Sequence, residues 1–265
     1  MLGNKVKLNL SNRRQALILI GEKDFESHLI AIRDLLRRNR KAEAATARKI
    51  KKLAKQLRAA GGRDPEEAMH LGDYYADEAY LSGVQDAAHS MAAVGMLAPL
   101  VESLFVSIFG GLRKLNRDKA LSSSENPRLA ASQDQFWDPR FKIKSKSNRR
   151  DIVAGIRQLA SAIGLSEHLP PDYDKTLAAL FQYRNMMFHN GFEWLKDEGI
   201  GIKDRIQSSG WPDEWFKESK GLGDTRFFYM TPEFVQHCLD AIDQMIDGVG
   251  AYVNGLLRSR ENPKE

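Results

Sequence analysis

Between Phe181 and Trp194 the chain reads FQYRNMMFHNGFEW, and three of its side chains could do chemistry together: Arg184, Asn185 and His189. A guanidinium is a planar, permanently charged fork that fits phosphate oxygens and stabilises charge growing on them. An imidazole titrates near neutral pH, so it can take a proton from a hydroxyl or hand one to a leaving oxygen. Asn185 and His189 stand four apart, one helical turn, which predicts that the amide hydrogen-bonds the ring and fixes its tautomer. The apolar stripe Leu177, Leu180, Phe181, Met187 and Phe188 passes through Arg184 and sends it inward, where a guanidinium needs a partner or an anion. Arg184 and His189 are five apart, about 140° around an ideal helix. They meet only if the last turn distorts or if a second copy completes the site across a two-fold axis.

An arginine, a polar residue and a histidine after four to six intervening positions, carried here by RNMMFHNG from Arg184 to Gly191 and set in a helical order from about Asp64 to Leu257, resembles the HEPN superfamily (higher eukaryotes and prokaryotes nucleotide-binding domains). The resemblance implies a homodimeric helical protein, a metal-independent endoribonuclease without cofactor, with Arg184, Asn185 and His189 as its active residues. It also implies a family-level role as a toxin or defence effector. RNA supplies its own nucleophile, the 2′-hydroxyl beside each phosphodiester, so a base, an acid and a phosphate clamp suffice. The alternative is a non-catalytic HEPN-like RNA-binding or scaffold protein in which Arg184 and His189 form a satisfied interior network. A second match to the spacing, Arg63 to His70, straddles a helix start at Asp64-Pro65 and is set aside.

Charge is the next strong signal. From Arg33 to Arg58 eleven basic residues, among them Arg37, Arg38, Arg40, Lys41, Arg48 and Lys52, face two acidic ones, while the whole chain has a formal net charge of only +5. Such asymmetry points to a polyanion, of which nucleic acid is the commonest, and those six residues are the expected RNA contacts. The competing reading is a solvated helix face whose apolar side, Ile32, Leu35, Leu36, Ile50, Leu53 and Leu57, packs on a neighbour.

Other chemistry-bearing residues weigh less. His70 and His89 read as partly buried structural histidines. Glu102, the one charge in the apolar run Met91 to Leu112, reads equally as a partner for a buried cation such as Arg184 or as a solvent-facing residue. Trp194, Trp211 and Trp215 could stack bases but more often such residues anchor a long surface segment. Cys238 stands alone, which excludes an intramolecular disulfide, offers no metal-binding pair and points to a cytoplasmic protein. No phosphate-binding glycine loop, HExxH or nucleophile elbow occurs, which removes support for kinases, zinc proteases and serine hydrolases.

The elements that must position these residues are helical. A basic arm at 1–63 runs as a helix from about Lys23 to Ala60 and stops at Gly61-Gly62; a HEPN-like bundle at 64–260 follows. Asp64-Pro65-Glu66-Glu67 opens its first helix with an N-cap, a proline at the first helical position and an acid placed to close a capping box. That helix is expected to kink or break near Pro99. Met91 to Leu112 is long enough to span a bilayer, but its composition suits the central helix of a bundle, and stable membrane insertion is not expected. Asn116 to Ser147 reads as loop, Asp151 to Ile163 as a short amphipathic helix stopped by Gly164, and Thr231-Pro232 as the start of the last helix. That last helix repeats apolar residues at steps of three and four from Val235 to Leu256, a seam that needs partner helices. The expected fold class is all-α, a multi-helix bundle, with a long irregular loop from Gly191 to Tyr229 and a short strand at Arg226 to Tyr229.

Overall fold

The computed structural model describes residues 10–21, 23–116, 126–144, 148–191, 193–195, 204, 208–221 and 223–261. The fold is predominantly α-helical: α1 (Asn12–Ile20), α2 (Phe25–Ala60), α3 (Pro65–Leu115), α4 (Gln133–Phe136), α5 (Ile152–Ile163), α6 (Tyr173–Asn190) and α7 (Pro232–Glu261). Two small antiparallel sheets accompany them, β1 (Phe141–Ile143) with β2 (Asn148–Arg150), and β3 (Glu193–Leu195), β5 (Thr225–Met230) and β4 (Phe216–Lys220) in that order. Helix ends follow their capping residues. Asp64 Oδ1 accepts from the backbone N–H groups of Glu66 and Glu67 at 3.0 and 3.2 Å, Asp151 Oδ1 from Ala154 at 3.1 Å, and Thr231 Oγ1 from Phe234 at 3.1 Å. Each satisfies donors that the first turn of a helix leaves orphaned. Gly164 ends α5 in the left-handed region at φ 80°.

Three expectations change. Of the kink or break expected near Pro99, the break does not occur: α3 runs as one helix from Pro65 to Leu115, and the missing N–H costs one bond, to the carbonyl four residues back. The stretch expected to wander from Gly191 to Tyr229 carries three paired strands in its described part, and the short strand foreseen at Arg226 to Tyr229 is the middle one. Of the loop expected from Asn116 to Ser147, residues 117–125 and 145–147 lie outside the described residues, and the remainder holds a 3-10 turn, α4 and β1.

The chain groups into two compact units, and α2, α3, α6 and α7 each pass from one into the other. The first comprises 1–26, 99–178 and 239–265. Its core is the far half of α3, with Val101, Phe105, Ile108, Phe109 and Leu112 fully buried, together with Ile156 and Leu159 of α5 and Met245 and Val249 of α7. The described loop segment is held by Arg128, which is completely buried yet, among the described residues, meets no carboxylate at bonding distance. Its guanidinium donates to the carbonyls of Gln135, Phe136, Asp138, Phe141 and Gly155 at 2.5 to 3.3 Å. Burial lowers its pKa to about 10, with Asp138 pulling it back up, so the group stays charged at neutral pH. Gly155 makes this possible, because a Cβ there would sit 2.1 Å from the Pro139 carbonyl oxygen. Glu102 pairs with Arg140 at 3.3 Å in the same unit.

The second unit comprises 27–98 and 179–238. Here α2 and α3 form an antiparallel hairpin, as successive rungs show: Lys49 with Glu78 at 2.6 Å, Thr46 with Gln85 at 3.0 Å, Glu43 with His89 at 2.8 Å. The basic helix is therefore grouped with residues of 64–98 and 179–238. The three-stranded sheet lies against α3, where Gly83 has no room for a side chain: a Cβ would fall 2.6 Å from Ser219 Oγ. Ser90 fastens the same face, donating to the Met230 carbonyl and accepting from its N–H. Trp194, Trp211 and Trp215 are all buried, Trp215 stacking on Phe234 with ring centroids 4.4 Å apart. They anchor the segment, as weighed from the sequence, and none offers a face to a base.

The apolar run of α3 is long and apolar enough to cross a membrane by length and composition, with a mean hydropathy of 1.9 over eighteen residues. More than half of that window is buried inside the protein.

Candidate active site

Helix α6 presents the three candidate residues on its last two turns. Tyr183 fixes the helix onto the sheet: it is buried, and its hydroxyl donates to the Phe228 carbonyl at 3.0 Å. Met186 and Met187 are also buried, so the register of the following residues is set. The helix ends at Gly191, whose φ is 79° and whose N–H bonds the Met187 carbonyl at 2.9 Å. An L-residue is strained in that conformation, which is why Asn-Gly works as a stop.

Arg184 is half-buried, and Asn185 and His189 are exposed. The inward pull foreseen for Arg184 is thus met halfway. Its guanidinium lies over the Phe181 ring, 5.2 Å from the centroid, and donates through Nε and Nη2 to Asn185 Oδ1 at 3.2 and 2.9 Å. The expected bond between Asn185 and His189 does not form among the described residues; the amide oxygen is taken by Arg184 instead. The physical reason is charge: a permanently charged guanidinium one position away outbids an imidazole one turn away for the same acceptor.

The helix stays regular through Asn190, so no distorted last turn brings Arg184 and His189 together. On one helix they remain about 140° apart. Phe188, between them in sequence, is 58% exposed and rests against Gly95 of α3. A cation, an amide, an exposed aromatic ring and an imidazole therefore share one helix end that is open to solvent, with the cation pre-oriented by its neighbours.

The six basic residues expected to touch RNA, Arg37, Arg38, Arg40, Lys41, Arg48 and Lys52, are all exposed on α2. Arg37 pairs with Asp34 at 2.5 Å. His70 is exposed rather than partly buried, because it lies on the outer side of the hairpin.

One cluster was not foreseen. Glu43 of α2 and His89 of α3 pair at 2.8 Å beside a cavity of about 60 Å³ that they line with Arg40, Ser90 and Met230, and Asp86 of α3 feels the charge of both. Burial, then the Glu43 carboxylate, push Asp86 up to about 6, while His89 and Lys217 pull it down. Burial, Asp86 and Glu43 raise Tyr229 as well. Asp86 and His89 at i, i+3 are visible in the sequence, but Glu43 reaches them only across the hairpin.

Asp86 gives a pH-dependent prediction. A carboxyl whose folded pKa lies above its ordinary value of 3.8 holds its proton more tightly when folded. Stability is therefore greatest below that value and falls as pH rises toward the folded pKa near 6. Discounted for its partial exposure, the loss is about 1 kcal/mol. Asp86→Asn removes it, so urea melts should show the variant about 1 kcal/mol more stable at pH 7.5 and not more stable at pH 3.5. An equal shift at both pH values would contradict this origin.

No protein-family model matches the chain, and no curated protein or solved structure matches it at a significant level. The functional assignment therefore rests on this geometry and on the resemblance in RNMMFHNG.

Proposed function

We propose that the protein is a metal-independent endoribonuclease that acts as a homodimer, with Arg184 binding the scissile phosphate, His189 moving protons and Asn185 orienting Arg184. The observation that carries this reading is the exposed end of α6, where a guanidinium already held by Asn185 and Phe181 shares two helical turns with a solvent-facing imidazole. Because these groups diverge on one helix, a second copy supplies the missing half, Arg184 of one protomer meeting His189 of the other.

The chemistry balances without a further reactant. One imidazole takes the proton from the 2′-hydroxyl, the 2′-oxygen attacks phosphorus, and the bond from phosphorus to the 5′-oxygen breaks. The departing 5′-oxygen takes its proton from that imidazole, now protonated, and the guanidinium offsets the charge that gathers on the phosphate oxygens. The products are a 2′,3′-cyclic phosphate and a 5′-hydroxyl. Incubation of purified protein with RNA should yield fragments that polynucleotide kinase labels directly at the 5′ end; fragments that need prior dephosphorylation would overturn the mechanism. At the level of the resemblance, such an enzyme would act in the cytoplasm as a toxin or defence effector.

The rival reading is a non-catalytic RNA-binding or scaffold protein. The divergence of Arg184 and His189 within one chain favours it, and intact RNA after incubation with the wild-type dimer would establish it.

A further inference from the structure

We propose that the outward face of α2 docks double-helical RNA, gripping its phosphate backbone without regard to base sequence. The structure commits the opposite side of this helix to α3 through Glu43, Thr46 and Lys49, with Leu53 buried. At 100° per residue, nine of the eleven basic residues from Arg33 to Arg58 fall within about 120° of arc, centred near Arg37 and Lys55 and facing away from those rungs. All nine except Arg33 are exposed. Asp34 is the one acidic residue on that arc, and it lies at its edge.

Shape narrows the partner. The stripe is about 38 Å long, more than one turn of a double helix, so it meets phosphates on both strands at once. A single strand is usually held in a groove with aromatic platforms. This face is convex, and between Arg33 and Arg58 its arc carries no aromatic residue. Arginine and lysine cannot reach base edges through the deep, narrow major groove of A-form RNA, so recognition there is confined to the backbone. An anionic membrane would be met by apolar residues interleaved with the charges, and between Arg33 and Arg58 this arc carries none larger than alanine. The grip itself is independent of α6; the choice of RNA over DNA rests on the ribonuclease reading.

The test uses full-length His189→Ala protein, so that binding is read without cleavage. Fluorescence anisotropy against an RNA duplex of roughly 20 base pairs, the same DNA duplex and a single strand is paired with sedimentation on phosphatidylserine vesicles. Duplex RNA is expected to bind tightest. Replacing Arg48, Lys51, Lys52 and Lys55 together by glutamine, a good helix former, should raise Kd about 30-fold at 100 mM salt and make log K against log salt shallower by about three. Arg149→Gln with Arg150→Gln, exposed on β2, should change neither. Should the fourfold variant lose helix, Lys52→Glu alone should still raise Kd about fivefold. An unchanged Kd in these α2 variants, a single strand or DNA duplex bound at least as tightly as duplex RNA, or vesicles bound in preference to duplex, would each overturn the proposal. Loss of duplex binding in the α2 variants, with wild-type cleavage products absent, would uphold it while removing the nuclease reading.

Discussion

Arg128→Met is expected to destabilise the protein by about 3–5 kcal/mol, lowering the melting temperature by roughly 10 °C. Among the described residues Arg128 is the only fully buried one that carries a charge, and its two terminal nitrogens donate to five backbone carbonyls, of which that of Gln135 also accepts from the Asp138 N–H and that of Gly155 lies within α5. Methionine fills much of the same volume and relieves the cost of burying a cation, but it donates nothing. Each orphaned buried carbonyl costs about 1–3 kcal/mol, and the relief of desolvation offsets part of the sum. Arg128→Lys keeps the charge but replaces a fork by a point donor, so it should recover no more than about half of the loss. A melt in which Arg128→Met matches wild type would show that the carbonyls find water or one another, and that the nest of backbone around Arg128 is not what orders the 126–141 segment.

The second large effect concerns the proposed site and is read by mixing. Arg184→Ala and His189→Ala should each lower RNA cleavage by about 100-fold or more, since each removes a group that acts in the transition state. Neither should shift the melting temperature much: Asn185 and His189 are exposed, Arg184 is half-buried, and its bonds to Asn185 and its contact with the Phe181 ring lie within one helix. If each site takes its arginine from one protomer and its histidine from the other, an equimolar mixture of the two inactive variants that has exchanged subunits regains one intact site per mixed dimer. Random exchange then restores roughly a quarter of wild-type activity. Recovery at that level fits the 140° separation on α6. A mixture as inactive as its parents would mean that each site needs both residues from both copies, or that the dimer does not form the site.

How much of this was legible in the chain depends on the range of the interaction. The caps at Asp64, Asp151 and Thr231 and the stops at Gly164 and Gly191 are read within four residues, and the structure places each as its local chemistry requires. The segregation of the basic face of α2 is likewise a matter of 100° steps along one helix, and it survives folding because nothing in the outward arc needs burial. The candidate residues Arg184, Asn185 and His189 were visible as types and spacing. Their mutual arrangement was not, because the acceptor on Asn185 chose the nearer cation over the imaginable imidazole.

Long-range partners stayed hidden for a common reason. The pairing of β3, β5 and β4 joins strands across a segment rich in turns, where period-two patterning is too short to set register. Glu43 with His89, 46 residues away, and Arg128 with the Gly155 carbonyl, 27 away, are contacts between helices or loops whose approach depends on how neighbouring faces pack. The amino-acid order by itself determined the long helices, their caps and the charged face, though not the short α1 and α4, since backbone bonds and side-chain periodicity act locally. Only the tertiary structure decided which polar groups were buried, which carboxyl was forced up in pKa, and that α6 ends with Arg184 half-buried and His189 exposed. Those outcomes follow from burial and dielectric, which no single segment possesses alone.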